Sequence, residues 1–76
     1  MMTNDKIFAK ALYVLIHTEK EKLVKALAFV DRDFSRCDNM SPEVQEYYRE
    51  KIIKYQSRID YLETLLKELK EIQNND

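Results

Sequence analysis

Three groups of side chains in this 76-residue chain have the types and spacing that chemistry requires. His17 and Glu21 stand four residues apart, which on a helix places an imidazole and a carboxylate on one face, able to share a proton or a metal ion. A two-fold axis would bring two such pairs together. His17 is the chain's single histidine and no Glu-x-x-His spacing occurs, so the di-iron bundle signature is missing, and the plainer reading is a boundary histidine with a salt-bridging neighbour. The second group, Asp31-Arg32-Asp33-Phe34-Ser35-Arg36-Cys37-Asp38-Asn39, alternates oxygen ligands as the start of a calcium loop does. Arg36 stands where glycine must turn that loop, and Pro42 where a bidentate glutamate belongs. The run reads instead as the last turn of a helix, after which Asp38 and Asn39 open a turn.

The third group is a candidate binding surface. Tyr47, Lys51, Lys54, Arg58 and Tyr61 are spaced 4, 3, 4 and 3, so they form one stripe along a helix, with an aromatic plane at each end and three cations between. Such a stripe can grip a phosphate backbone, stack on unpaired bases or meet an acidic protein surface. The bland alternative is that the cations cover apolar surface with their stems and pair with Glu19, Glu21 or Asp31. The lone Cys37 cannot form an intramolecular disulfide and reads as inert, because a helix C-terminus disfavours a thiolate. With no glycine there is no phosphate-cradling loop. The expectation is a non-enzyme with no cofactor and no metal.

The elements that position these groups follow from the same absence of glycine. The single proline, Pro42, is preceded by Ser41, and Ser-Pro is a helix start: the serine oxygen accepts from free backbone N–H groups, and proline fits the first turn without losing a bond. The chain therefore divides into a first helix over about 4–36, a turn at 37–41 rich in turn formers, and a second helix over about 42–73. The polar run 73–76 and the residues before Asp5 read as fraying ends. In the second helix Tyr48, Ile52, Tyr55, Ile59, Leu62, Leu66 and Leu69 alternate steps of four and three, the a/d seam of a coiled coil or antiparallel pair. The first helix matches it with Ile16, Leu23 and Val30 every seven residues and Leu12, Leu27 and Phe34 beside them. The fold class is all-α, a two-helix antiparallel hairpin in one domain over 1–76.

Folding about residue 39 pairs residues whose numbers sum to about 78, among them Leu12 with Leu66, Leu23 with Tyr55 and Phe34 with Val44. Apolar residues are left over at the open end: Ile7, Phe8, Ala11, Leu12, Val14, Leu15, Leu65, Leu69 and Ile72 make a face wider than one neighbouring helix covers. These are the candidate dimer-interface residues, and the predicted assembly is a homodimeric four-helix bundle with crossings near 20°. Of the tyrosines, Tyr48 and Tyr55 belong to the core while Tyr13, Tyr47 and Tyr61 are freer; Phe29 and Ile53 lie off the seam as further contact points.

Thirteen basic against fourteen acidic residues give a net charge of −1, which removes a strong electrostatic case for nucleic acid or an anionic membrane. The apolar run Ile7–Ile16 is too short to span a bilayer, which takes ~20 residues, and no small-residue cleavage site follows it. Two function classes remain. One is a small interaction module, dimeric and with a protein partner, acting as adaptor, inhibitor or regulator in a cytoplasm (bacterial, or that of a virus's host), as phage and plasmid accessory proteins do. The other is an RNA- or DNA-binding four-helix-bundle dimer that presents the basic-aromatic stripe.

Overall fold

The computed structural model describes residues 4–74, which form two helices of equal length packed against each other as a hairpin: α1, Asn4–Arg36, and α2, Pro42–Asn74. The reversal works as its residue types dictate. The Ser41 carbonyl accepts from the Gln45 N–H at 3.0 Å, the first bond of α2, while its hydroxyl oxygen accepts from the Val44 N–H at 3.4 Å. The Gln45 side-chain amide reaches back to donate to the Met40 carbonyl at 3.3 Å, fastening the turn to the helix it precedes. Asp5 and Glu43 in the first turns and Arg36 in the last turn of α1 complement the helix dipoles. Gln73 and Asn74, expected to fray, continue α2; residues 1–3 and 75–76, part of the same expectation, lie outside the described residues.

Each helix presents one heptad seam to the other. On α1 it runs through Ala9, Ile16, Leu23 and Val30 at d and Tyr13, Lys20, Leu27 and Phe34 at a; on α2 it runs through Gln45, Ile52, Ile59, Leu66 and Gln73 at a and Tyr48, Tyr55, Leu62 and Leu69 at d. Every one of these positions is buried or half-buried. Three members of the α1 seam were not expected. Ala9 is small enough to bring the helices together and is the most buried residue of the hairpin, at 3% exposure. Tyr13, read as a freer tyrosine, is half-buried and stacks on His17 at 6.1 Å. Lys20 lays its stem in the seam and carries its ammonium out to Glu63 on α2, 3.6 Å away.

The closed end departs from the expected register. Phe34 stacks on Tyr48 with ring centroids 5.8 Å apart and planes 15° from parallel, instead of meeting Val44, which is exposed. The Phe34–Tyr48 and Lys20–Glu63 pairs sum to 82 and 83, about one helical turn beyond 78. The half-buried Met40 closes this end, and two aromatic rings stack more favourably than a ring on a valine.

The buried core is small: besides Ala9 it holds only Ile59, Leu62 and Leu66 among the described residues, all toward the open end. The Cα extents, 61 × 14 × 13 Å, describe a rod one helix pair thick. Its accessible surface, 6281 Å², exceeds the roughly 4,900 Å² of a compact protein of 9.2 kDa. Three outcomes follow for urea unfolding monitored by circular dichroism. Leu62→Ala costs about 2–3 kcal/mol, whereas Ile53→Ala, at an exposed site, stays within about 0.5 kcal/mol of the parent. Ser41→Ala costs about 1 kcal/mol through the lost cap.

Candidate interaction surface

A heptad helix has two flanks, and in this hairpin they differ. Around the helix, position a leans toward e and b, and position d toward g and c. Contacts across the seam show which flanks meet: Lys20, at a, reaches Glu63 at e, while Leu23, at d, shares a groove with Lys51 and Arg58 at g. The hairpin is therefore a flat layer with an e/b side and a g/c side. The half-buried helical residues off the seam are Leu12, Ala26, Lys51 and Leu65, all at g.

The aromatic residues divide the same way. Tyr13, Phe34, Tyr48 and Tyr55 are half-buried in the seam, and the other four, Phe8, Phe29, Tyr47 and Tyr61, are 58–66% exposed at c positions. Leu15, Val44 and Ile72 join them on the g/c side, while Ile7, Val14, Val24 and Ile53 are the large exposed aliphatics elsewhere. Three of the four ion pairs between described residues involve the e/b side: His17–Glu21, Lys20–Glu63 and Arg49–Glu46; Lys22–Glu19 lies on the other.

All five residues of the predicted stripe lie on the g/c side. Tyr47, Lys51, Lys54 and Arg58 line a groove of about 420 Å³ with Leu23, Glu50 and Tyr55, and Tyr61 continues the line one turn beyond. The Lys51 ammonium donates to the Tyr47 hydroxyl at 3.3 Å and sits 5.4 Å from the centre of its ring. That hydrogen bond, reinforced by the charge Tyr47 acquires when ionised, raises the Lys51 pKa above the ordinary value of 10.5. The expected pairing of the cations with Glu19, Glu21 or Asp31 does not occur: Glu19 is taken by Lys22 and Glu21 faces His17, while Lys54 and Arg58 make no ion pair with any described residue.

The predicted dimer surface is split. Phe8, Leu12, Leu15, Leu65 and Ile72 lie on the g/c side and prolong the stripe toward the open end. Leu69 is half-buried in the seam, Ile7 and Val14 are exposed at b, and Ala11 is exposed at f, the outermost position. Phe29, predicted as an isolated contact point, belongs to the g/c side, where Arg32 lies 5.7 Å from its ring centre. The sequence signal for this grouping is the heptad letter once both seams are assigned.

The other candidate chemistries are placed apart. His17 and Glu21 stand 3.8 Å apart on the e/b side, each about half exposed. Asp31 and Asp33 are helical and point to opposite flanks, so the calcium-like run forms no loop, and Cys37 is exposed at the closed end. Among the described residues no three His, Cys, Asp or Glu side chains are grouped to hold a metal ion, and no helix is long and apolar enough to cross a membrane. No protein-family model, curated protein or solved structure matches the chain.

Tyr47→Phe removes the oxygen that accepts from Lys51. In an NMR titration of the lysine side chains, the Lys51 pKa is expected to fall back toward 10.5 in this variant. A raised lysine pKa contributes stability that is complete below the unfolded value and is lost as pH rises through the folded one. The variant and parent should therefore differ by a constant amount from pH 6 to 9 and converge only in the alkaline range above 10.5.

Proposed function

We propose that the chain is a non-catalytic helical interaction module that works as a homodimeric four-helix bundle and acts as an adaptor, inhibitor or regulator by binding another macromolecule. The observation that carries this reading is the one-sidedness of the exposed aromatic surface: four rings, at 58–66% exposure, stand on the same side of a two-helix layer. Water-exposed rings in such a row are an unfinished core, and the cost of leaving them wet is removed when another apolar surface covers them. The surface in excess of a compact protein, about 1,400 Å², is ample for the ~800 Å² that each partner contributes to a stable interface. The e/b side, with its charges partly paired, is then left to meet a further macromolecule.

Nucleic-acid binding is the second reading, favoured by the Lys54 and Arg58 side chains without ion-pair partners beside two tyrosines. Three carboxylates weigh against it. Glu50 lines the same groove, and Glu43 and Glu46 flank the other side of Tyr47, so a phosphate backbone laid on the stripe meets both signs.

Analytical ultracentrifugation at micromolar concentration tests the first reading: a species of twice 9.2 kDa is expected, and a stable folded monomer would overturn it. Leu15→Glu is expected to weaken association at least tenfold and Ile53→Glu, on the opposite side, to leave it unchanged. For the second reading, titration with an RNA hairpin and a DNA duplex at physiological salt is expected to give nothing tighter than the non-specific range, about 10⁻⁴–10⁻⁶ M. Tighter, steeply salt-dependent binding that is abolished by Lys51→Glu, Lys54→Glu and Arg58→Glu together would replace the first reading with the second.

A further inference from the structure

The charge on the g/c side is not evenly spread, and this sets how a second copy must lie on it. The midpoints of the helices fall at residues 20 and 58. On the open-end half of this side stand three acids, Asp5, Glu19 and Glu68, and no base. On the closed-end half stand four bases, Lys22, Arg36, Lys51 and Lys54, against one acid, Asp33, and Arg58 sits at the middle. At the g and c positions the charge thus runs from a net −3 to a net +3, and Glu50, which lines the groove beside Lys51, brings the closed-end half to +2.

Two flat layers can meet face to face about a two-fold axis in only two ways. An axis along the helices sets closed end on closed end, opposing the four bases of one chain to the four of the other. An axis across the helices sets the basic half of each chain on the acidic half of its partner. Like charges held face to face in an interface are costly, and complementary ones fix the register. We infer that the homodimer is formed by this antiparallel stacking of the g/c sides over most of their length, α1 lying on α1 and α2 on α2. The inference rests on the dimer reading above and specifies its geometry.

A single axis at the level of residues 20 and 21 of α1 falls near residue 62 of α2, because level residues sum to 82 or 83, and the residue pairs it produces support the inference. On α1, Asp5 comes opposite Arg36, Leu12 opposite Phe29, Leu15 opposite Ala26 and Glu19 opposite Lys22. On α2 the same axis brings Lys54 opposite Glu68, Lys51 opposite Ile72 and Tyr61 opposite its own copy. The two poor matches are Phe8 with Asp33 and Arg58 with Leu65. In either arrangement every helix is antiparallel to the neighbour it covers, so the charges and not the dipoles select this one. The middle of the stripe becomes part of the self-association surface, and Lys54, without an ion-pair partner among the described residues, finds the partner's Glu68.

The exposed Cys37, the chain's one thiol, sits at the closed end and supplies a ruler without mutation. The test is a nitroxide on Cys37 and a double electron–electron resonance measurement at a concentration where sedimentation shows dimer. In the antiparallel stack the two labels are separated by about 33 residues of helix rise, on the order of 50 Å. A distance of about 20 Å, set by neighbouring helices 8–10 Å apart plus the label arms, would mean closed end on closed end and overturn the inference. So would a distance of about 80 Å or no dipolar signal, the result if only the open ends overlapped. Either leaves the dimer reading standing, whereas a monomer in sedimentation removes that reading itself.

Discussion

A pair of helices shares one line of contact, and everything else about this protein depends on how little that line can hide. A seam of a and d positions buries about two-sevenths of each helix, and here only Ala9, Ile59, Leu62 and Leu66 are buried among the described residues. Against them stands the ordering of two helices of 33 residues each, at about 1–2 kcal/mol per residue of backbone entropy. Helix hydrogen bonds and the half-buried seam offset most of that cost. The margin left is narrow enough for the apolar side chains outside the seam to decide it.

Those side chains are not scattered because the two flanks of a heptad are not equivalent. The d residues of α1 lean toward one side and are small or aliphatic, Ala9, Ile16, Leu23 and Val30, so the g residues beside them, Leu12 and Ala26, sink partway in. The a residues lean the other way and include Lys20, whose ammonium leaves the seam for Glu63, and Tyr13, whose ring stacks on the exposed His17. The e/b side is kept polar by its own seam residues. The g/c side is closed by aliphatics and carries the rings outward. The polar seam residues Lys20, Gln45 and Gln73 all sit at a and lean toward the e/b side, which leaves the four exposed aromatic residues together on the other.

The hairpin was legible because its signals are local: Ser41-Pro42 is the one helix-starting pair in a chain without glycine, and Tyr48 to Leu69 keep a strict 4-3 spacing. The α1 seam was harder to read, since a reading by apolarity passes over Ala9 for its size and Lys20 for its charge, and substitutes Leu12, which lies one position off. The register at the closed end depends on how five turn residues fold, and the Phe34–Tyr48 stack is a tertiary choice that no spacing encodes. The stripe of Tyr47, Lys51, Lys54, Arg58 and Tyr61 was visible as a helical pattern. Its continuity with Leu65, Ile72, Phe8 and Leu15 was not, because sidedness exists only once two helices are placed together.

That continuity makes the two function classes compete for the same atoms. A phosphate backbone needs Lys51, Lys54 and Arg58 open to solvent, whereas a second copy covers them and supplies carboxylates of its own. Both ligands neutralise the same cations, but only the second copy also removes Phe8, Leu15 and Phe29 from water. At ~25 cal/mol per Å², covering even 500 Å² of apolar surface is worth about 12 kcal/mol before the costs of association, while exposed charge contacts with a backbone fade as salt rises. For the proposed dimer the apolar term outweighs what exposed charge contacts supply to a backbone at physiological ionic strength. In that proposed dimer folding and association form one equilibrium, which makes the stability of the hairpin depend on its own concentration.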